Sequence, residues 1–219
     1  PVLIPALANF VSKTERGTNL SKDGIDVQTT EHLLAALSGM SINNCLIELN
    51  ANEIPIMDGS SKDFVKGIKK AGVKEQDALQ NIFVVKENIT LKDDDSGSEI
   101  ILVPSESLTI SVMIDFRTKV LGTQNATLDK IEDFYNKISS SRTFSFLHEL
   151  EKLIDENLIK GGNLNNSIIY VDKPIDKSSM EKLKKIFGKK DINISESGIL
   201  NNLSLYYPNE AARHKLLDV

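Results

Sequence analysis

The amino-acid sequence predicts an α+β fold divided into two domains, over residues 1–78 and 79–219. Segments with the alternation of a strand and segments with the periodicity of an amphipathic helix follow one another in both halves of the chain. A polar run over residues 74–77 separates the two halves and marks the predicted domain boundary. We therefore expect helices and strands to be mixed within each domain.

The first half is predicted to begin with a helix and then a strand. Residues 31–37 form the helix, because Thr29 or Thr30 is a good N-cap and Gly39 suits a left-handed position after the helix end. Residues 44–50 are mainly apolar between polar breakers, which predicts a strand.

A turn and a second helix complete the first half. Asp58 and Gly59 occupy the turn, since both residue types favour such positions. The helix covers residues 64–71, where apolar and charged residues take opposite faces, and Gly72 ends it.

The second half is predicted to begin with strands over residues 82–85 and 100–103, on either side of the acidic run 93–98. This run is predicted to be a solvated turn, because it lacks the ligand spacing and the distal glutamate of a calcium-binding EF-hand loop. Residues 108–114 alternate as a half-buried strand does. Thr127 is predicted to cap a helix whose apolar residues share one face.

Four further elements are expected towards the C-terminal end of the sequence. They are a helix over residues 147–157, a strand over 167–171, a helix from Ser178 or Ser179 to Gly188, and a helix over 209–218. The last helix carries two of the candidate metal ligands.

The composition indicates a soluble cytoplasmic protein and argues against several kinds of partner. The single cysteine, Cys45, cannot form an internal disulfide and fits a reducing compartment. No apolar run reaches the roughly 18–20 residues of a membrane-spanning helix, so we expect no stable membrane insertion. A net charge of −5 and the absence of tryptophan argue against nucleic-acid binding, which depends on cationic and stacking side chains. The sequence does not indicate an oligomeric state.

His214 and Asp218 are the first candidate metal ligands. They lie four residues apart in the last predicted helix, so both side chains share one face about one turn apart. Imidazole nitrogen and carboxylate oxygen are both ligands of Zn²⁺. The same spacing is also common in surface ion pairs, so the pattern leaves both interpretations open.

Glu31 and His32 are the second candidate pair, at the start of the first helix. The positive end of the helix dipole disfavours a protonated imidazole, which leaves His32 free to bind a metal. A glutamate beside a metal and its water is the arrangement of a metallohydrolase. A pair favoured by the helix dipole alone is the alternative. The third histidine, His148, has no ligand spacing around it and is predicted to be solvated or capping.

Five segments, read in order, resemble one enzyme family. They are residues 30–39, 53–60, 141–146, 161–166 and 213–218. Together they are similar to the UDP-3-O-acyl-N-acetylglucosamine deacetylase (LpxC) family. The resemblance implies two β-α-α-β sandwich domains, whose helices pack between the sheets and whose junction holds zinc.

The resemblance also implies a reaction and the residues that carry it. The activity would be zinc-dependent hydrolysis of the N-acetyl amide of UDP-3-O-acyl-N-acetylglucosamine, which releases acetate in the committed step of lipid A synthesis. His32, His214 and Asp218 would hold Zn²⁺. Glu31 would be the general base, and Thr143 would donate a hydrogen bond to the oxyanion.

Other matching positions would contact the substrate. Lys215 would add positive charge next to a zinc ligand and assist catalysis. Phe144, Leu150 and Gly162 match the part of the family that borders the acyl chain and the sugar. Asp58 matches a family turn and is expected to have a structural role.

The sequence departs from the family pattern at both ends. The family's general-acid histidine belongs to a motif downstream of Val219, and its first strands precede Pro1, so we expect an internal fragment. Residues 172–202 resemble the form of the enzyme that is fused to a hydroxyacyl-acyl-carrier-protein dehydratase. Two rival interpretations are a non-catalytic binding fragment of the same fold and an RNA-binding α+β domain.

Overall fold

The computed structural model describes residues 2–15, 17–150, 166–200 and 203–219. Its first sheet has three antiparallel strands in the order β1 (Val11–Lys13), β2 (Asn19–Lys22) and β3 (Ile25–Val27). Asp23 and Gly24, between β2 and β3, have φ values of 53° and 78°. Positive φ at both turn residues matches the turn to the twist of the strands.

Two helices follow this sheet, and both confirm the sequence prediction. They are α1 (Glu31–Gly39) and α2 (Lys62–Ala71). Val65 on α2 is fully buried, whereas the lysines of its last turn face solvent. Gly72 ends α2 with a φ of 83°, as predicted.

The two ends of α1 differ from the prediction. The Thr30 hydroxyl donates to the Thr18 carbonyl oxygen (2.8 Å) and does not cap the helix. Gly39 is the last helical residue, and the left-handed position falls instead on Ser41, with a φ of 56°. A Cβ at position 39 would overlap the Phe134 ring. Gly39 is therefore required for packing.

The predicted strands over 44–50 and 82–85 are wrong, because neither segment forms a strand. Their apolar side chains are exposed; Leu46 is 73% and Phe83 is 81% exposed. No strand among the described residues pairs with either segment. An apolar run becomes a strand only when a neighbour satisfies its backbone hydrogen bonds.

Two antiparallel hairpins occupy the middle of the chain. β5 (Glu99–Leu102) confirms the strand predicted over residues 100–103. It pairs across the acidic turn with β4 (Ile89–Lys92), a strand that the sequence did not predict. In that turn the Asp93 carboxylate accepts the backbone N–H groups of Asp95 and Ser96, both at 3.3 Å. β6 (Ile110–Asp115) confirms the predicted alternating strand and pairs with β7 (Thr123–Leu128).

The helix predicted to start at Thr127 begins later. Thr127 pairs with Ser111 in the β6–β7 hairpin, so it belongs to strand β7 and does not cap a helix. A 3₁₀ turn and the short helix α3 (Phe134–Lys137) follow.

The C-terminal part combines a parallel strand pair with two helices. β8 (Phe144–Phe146) pairs with β9 (Ile168–Tyr170), and the latter confirms the predicted strand. Residues 147–150 are helical, and the rest of the helix predicted over 147–157 lies outside the described residues. The last two helices, α4 (Lys177–Phe187) and α5 (Glu210–Asp218), are both confirmed.

The start of α4 is capped differently from the prediction. The carboxylate of Asp176 accepts the backbone N–H of Ser179 at 2.7 Å, so Asp176 is the N-cap in place of Ser178 or Ser179. Gly188 ends the helix in the left-handed conformation, with a φ of 60°.

The main hydrophobic core joins α1, α2 and α5 to the β6–β7 hairpin. Its buried members include Ala36 on α1, Val65 on α2, Leu128 on β7, and Ala212 and Leu216 on α5. A second cluster lies around α4 and β9. The α+β class is confirmed, while the sandwich arrangement and the domain boundary stay predictions. None of the described helices is long and apolar enough to cross a membrane.

Candidate metal centre

Helix α5 presents two of the candidate ligands on one face. Ala211 and Ala212 are fully buried, and Leu217 is 3% exposed, so the apolar face fixes how the helix is turned. His214 then lies inside the protein, and Asp218 lies one turn further at the edge. The distance from His214 Nε2 to Asp218 Oδ1 is 3.6 Å. The structure therefore confirms that His214 and Asp218 share one helical face, as their four-residue spacing predicts.

Helix α1 brings the third candidate ligand to the same place. The His32 and His214 rings meet edge to face, with centroids 5.2 Å apart, and each residue is 2% exposed. The Ser61 hydroxyl donates to the His32 carbonyl oxygen at 2.7 Å and ties α1 to the start of α2. One candidate ligand atom from each of His32, His214 and Asp218 lies within 4.8 Å of the others.

The hydrogen bonds of the two imidazoles suit metal binding. His214 Nδ1 lies 3.0 Å from the Ser141 carbonyl oxygen, which assigns the proton to Nδ1 and leaves Nε2 as a ligand atom. Both ring nitrogens of His32 are buried without a hydrogen-bond partner among the described residues. A buried polar atom left unpaired costs about 1–3 kcal/mol. A metal ion at this position would remove that cost.

Burial keeps both imidazoles neutral. It lowers the pKa of His214 to about 4, against the opposing effect of the Asp218 carboxylate. Burial also lowers the pKa of His32, although Glu31 and Asp218 oppose it. Only a neutral imidazole has a free lone pair for a metal, so neither histidine needs to lose a proton near pH 7.

Glu31 faces the same space as Asp218. Both line a cavity of about 280 Å³ whose other walls are largely apolar, including Leu34 and Leu216. The Thr18 backbone N–H donates to Glu31 Oε2 at 2.8 Å, which fixes the carboxylate. A carboxylate held in this way can accept a proton from a water molecule in the cavity.

Thr143 is held by backbone contacts on both sides. Its N–H donates to the Gly59 carbonyl oxygen (2.7 Å), and its carbonyl oxygen accepts the N–H of Ile168 (2.8 Å). Gly59 has a φ of 81°, and a Cβ there would lie 2.9 Å from the Asn166 carbonyl carbon. The predicted turn thus needs a glycine for both its conformation and its close approach.

Asp58, in the same turn, has the structural contacts expected of it. Its Oδ1 accepts the Ser60 backbone N–H at 3.1 Å and the Ser60 hydroxyl at 2.6 Å. Its other oxygen lies 3.7 Å from Lys62 Nζ. These bonds close the turn before α2.

Lys215 and Phe144 lie beside the ligand cluster. Lys215 Nζ is 2.7 Å from Asp218 Oδ2 and 5.8 Å from the centroid of the Phe144 ring. Phe144 belongs to an aromatic group with Phe116 and Tyr170, at centroid distances of 5.5 and 6.0 Å. Sequence analysis did not find Phe116, because no motif marks the turn after β6.

The remaining candidates lie elsewhere. Leu150 packs against the second hydrophobic cluster, and Gly162 lies outside the described residues. His148 was predicted to be solvated or capping, but its Nδ1 lies 2.7 Å from Asp172 Oδ2. It pairs with this carboxylate because Asp172 follows β9, the strand that pairs with β8 next to His148.

The residues that contact the candidate ligands could not be found from the sequence. The Ser141 carbonyl oxygen contacts His214 Nδ1, and the Ser61 hydroxyl donates to the His32 carbonyl oxygen. The sequence carries no specific signal for either contact. Arg142 and Glu210 form a buried ion pair next to them. A signal was present for Glu210, since it lies four residues before His214 and eight before Asp218, on the same helical face.

Comparison with known proteins points to one family. A family model described as LpxC, UDP-3-O-acyl N-acetylglycosamine deacetylase, matches residues 2–185. The chain is 40% identical over 216 residues to a "Bifunctional enzyme LpxC/FabZ" of Bacteroides thetaiotaomicron, an alignment that covers 99% of this chain and 47% of that relative. It is 39% identical over 219 residues to a "UDP-3-O-acyl-N-acetylglucosamine deacetylase" of Myxococcus xanthus, covering 100% of this chain and 62% of that protein. The chain thus spans about half the length of its bifunctional relatives.

Proposed function

Since the chain belongs to the LpxC family of UDP-3-O-acyl N-acetylglycosamine deacetylases, we propose that its residues serve a zinc-dependent amide hydrolase. The reaction removes the N-acetyl group of UDP-3-O-acyl-N-acetylglucosamine and releases acetate, in lipid A synthesis. The observation that carries this proposal is the meeting of His32 on α1 with His214 and Asp218 on α5.

The residues present fit a zinc ion. His32 has two buried nitrogens without a partner among the described residues, and His214 has its Nε2 free towards Asp218. Two imidazoles and one carboxylate are a ligand set of catalytic zinc sites, which keep one position open. Bound zinc would supply a Lewis acid that acidifies a water molecule and polarises the amide carbonyl.

Glu31 would act as the general base. Its carboxylate takes a proton from the attacking water, whose oxygen then forms a bond to the acetyl carbonyl carbon. The hydrogen bond from the Thr18 backbone holds the carboxylate in place for this transfer. Glu31 lines the cavity together with Asp218, so the proposed base and one of the three proposed ligands face the same space.

Thr143 and Lys215 would serve the tetrahedral intermediate and the substrate. The Thr143 hydroxyl donates to the oxyanion, on a segment fixed by the Gly59 turn. Lys215 adds positive charge next to Asp218. The C–N bond then breaks, acetate is released, and the amine nitrogen takes up a proton. By the family resemblance, a general-acid histidine supplies this proton.

The substrate contacts follow from the same resemblance. Phe144 lies beside Lys215 and is half-buried, so its ring can border an acyl chain or a sugar. Leu150 and Gly162 are proposed to contact the substrate on the resemblance alone.

Acetate release tests the proposal. The full-length protein is incubated with UDP-3-O-acyl-N-acetylglucosamine, with and without a chelator, next to Glu31→Gln and the matched surface variant Glu181→Gln. We expect acetate release that stops on chelation and returns with zinc. Glu31→Gln should lower it about 10²–10⁴-fold, and Glu181→Gln should leave it unchanged. Metal binding without any turnover would favour the non-catalytic binding module.

A further inference from the structure

A buried ion pair joins the segment just before β8 to the first turn of α5. The Arg142 and Glu210 side chains are 7% and 0% exposed, and Arg142 Nε donates to Glu210 Oε1 at 2.8 Å. Arg142 Nη2 donates to the other carboxylate oxygen at 3.2 Å, so the guanidinium binds both oxygens. Such two-pronged contacts fix the relative orientation of the two groups as well as their distance.

The same carboxylate also binds the backbone at two places. Glu210 Oε1 accepts the N–H of Arg142 at 3.1 Å, and Oε2 accepts the N–H of Tyr206 at 2.7 Å. Arg142 Nη2 donates in addition to the Ser204 carbonyl oxygen at 2.9 Å. The pair therefore links residues 204–206, residue 142 and the start of α5.

The position of this pair connects it to the metal ligands. Glu210, His214 and Asp218 follow one another at intervals of four along α5, so they share one face. Arg142 follows Ser141, whose carbonyl oxygen accepts the His214 Nδ1 proton at 3.0 Å. A shift of residue 142 against α5 would therefore disturb the geometry of this hydrogen bond. Thr143 is the next residue and would move with it.

Stability alone does not account for such a pair. The loss of hydration of two buried charges offsets most of their attraction, and apolar replacements of similar size are often as stable. Hydrogen bonds behind a metal ligand, in contrast, set its tautomer and orientation, and their loss weakens metal binding about 10–100-fold.

We propose that Arg142 and Glu210 are positioning residues of the metal centre. Their ion pair holds the Ser141 carbonyl against His214, keeps the proton of His214 on Nδ1, and thereby directs Nε2 to the metal. This inference rests on the metal site of the proposed function. It does not depend on deacetylation.

The test compares Arg142→Lys with wild-type protein and with Lys184→Met, which breaks an exposed ion pair with Glu181 on α4. Lysine keeps the charge but loses the two-pronged contact. Two properties are measured on the full-length protein: zinc affinity by competition with a chelator, and the His214 tautomer in metal-free protein by ¹⁵N NMR. We expect zinc affinity to fall about 10–100-fold in Arg142→Lys. The single Nδ1–H tautomer should become a mixture, and Lys184→Met should match wild type in both properties.

Unchanged zinc affinity and an unchanged tautomer in a folded Arg142→Lys would overturn the inference and leave the pair a purely structural one. Should Arg142→Lys fail to fold, Glu210→Gln answers the same question, because it keeps the side-chain volume and one acceptor oxygen. If wild-type protein binds no zinc, the proposed function fails, while the tautomer measurement still decides whether the pair positions His214.

Discussion

Replacement of Gly39 by alanine measures how tightly α1 packs, with Gly67→Ala on α2 as the matched control. Alanine is the better helix former by about 0.5–1 kcal/mol, so the change stabilises an open helix position. Gly67 is such a position, because nothing lies within 4 Å of where its Cβ would be. At Gly39 the new Cβ would overlap the Phe134 ring, and even the ring atom Cε1 would be only 2.6 Å away.

Phe134 is a core residue that is only 4% exposed, so its ring must shift within the core, towards the cavity that it lines together with Gly39, to admit the new Cβ. Overpacking of this kind costs about 1–3 kcal/mol, so after the gain in helix propensity Gly39→Ala should lose up to about 2.5 kcal/mol of stability. Urea unfolding should give a lower midpoint for Gly39→Ala and a higher one for Gly67→Ala, with unchanged slopes. Equal stabilisation of both variants would refute the packing of α1 on Phe134.

Zinc at 100 times its Kd should stabilise the folded chain by about 2.7 kcal/mol, which raises the midpoint of thermal unfolding. His214→Ala should abolish this rise in the midpoint, and a rise that persists in the variant would contradict the ligand set. Glu31→Gln should keep its zinc while acetate release falls about 10²–10⁴-fold; loss of zinc would instead make Glu31 a ligand. Burial raises the pKa of Tyr170 to about 12. The unfolded chain therefore releases this proton from about pH 10 upwards while the folded chain retains it, and stability should fall by up to about 2.7 kcal/mol towards pH 12. Tyr170→Phe should remove that loss in urea unfolding at high pH, and an identical loss in the variant would show that Tyr170 is not its source.

Helices α1, α2, α4 and α5 were predictable because their signals are local. Gly72 and Gly188 end their helices as the sequence indicates. Gly39 was misread because the same residue type also permits close packing, and Phe134, its neighbour in space, is far away in the sequence. The strand predicted over 44–50 failed for a related reason, since pairing depends on a partner that the segment itself does not specify.

The candidate metal centre was predictable in part. The spacing of His214 and Asp218 places them on one helical face, and the structure agrees. The addition of His32 came from the family resemblance, because no local pattern states that α1 and α5 meet. The contacts of Ser141 and Arg142 escaped prediction, since a carbonyl oxygen has no sequence signature and the partner of a buried arginine is set by the fold.

X-ray absorption at the zinc edge tests the central claim most directly, on full-length wild type and on the variants His32→Ala and His214→Ala. We expect one zinc per chain with two imidazole nitrogens at about 2.0–2.1 Å and oxygen ligands completing the shell. Each variant should lose one imidazole from the spectrum or lose the metal altogether. A bound zinc whose ligand shell is the same in wild type and His32→Ala would contradict a centre shared by α1 and α5.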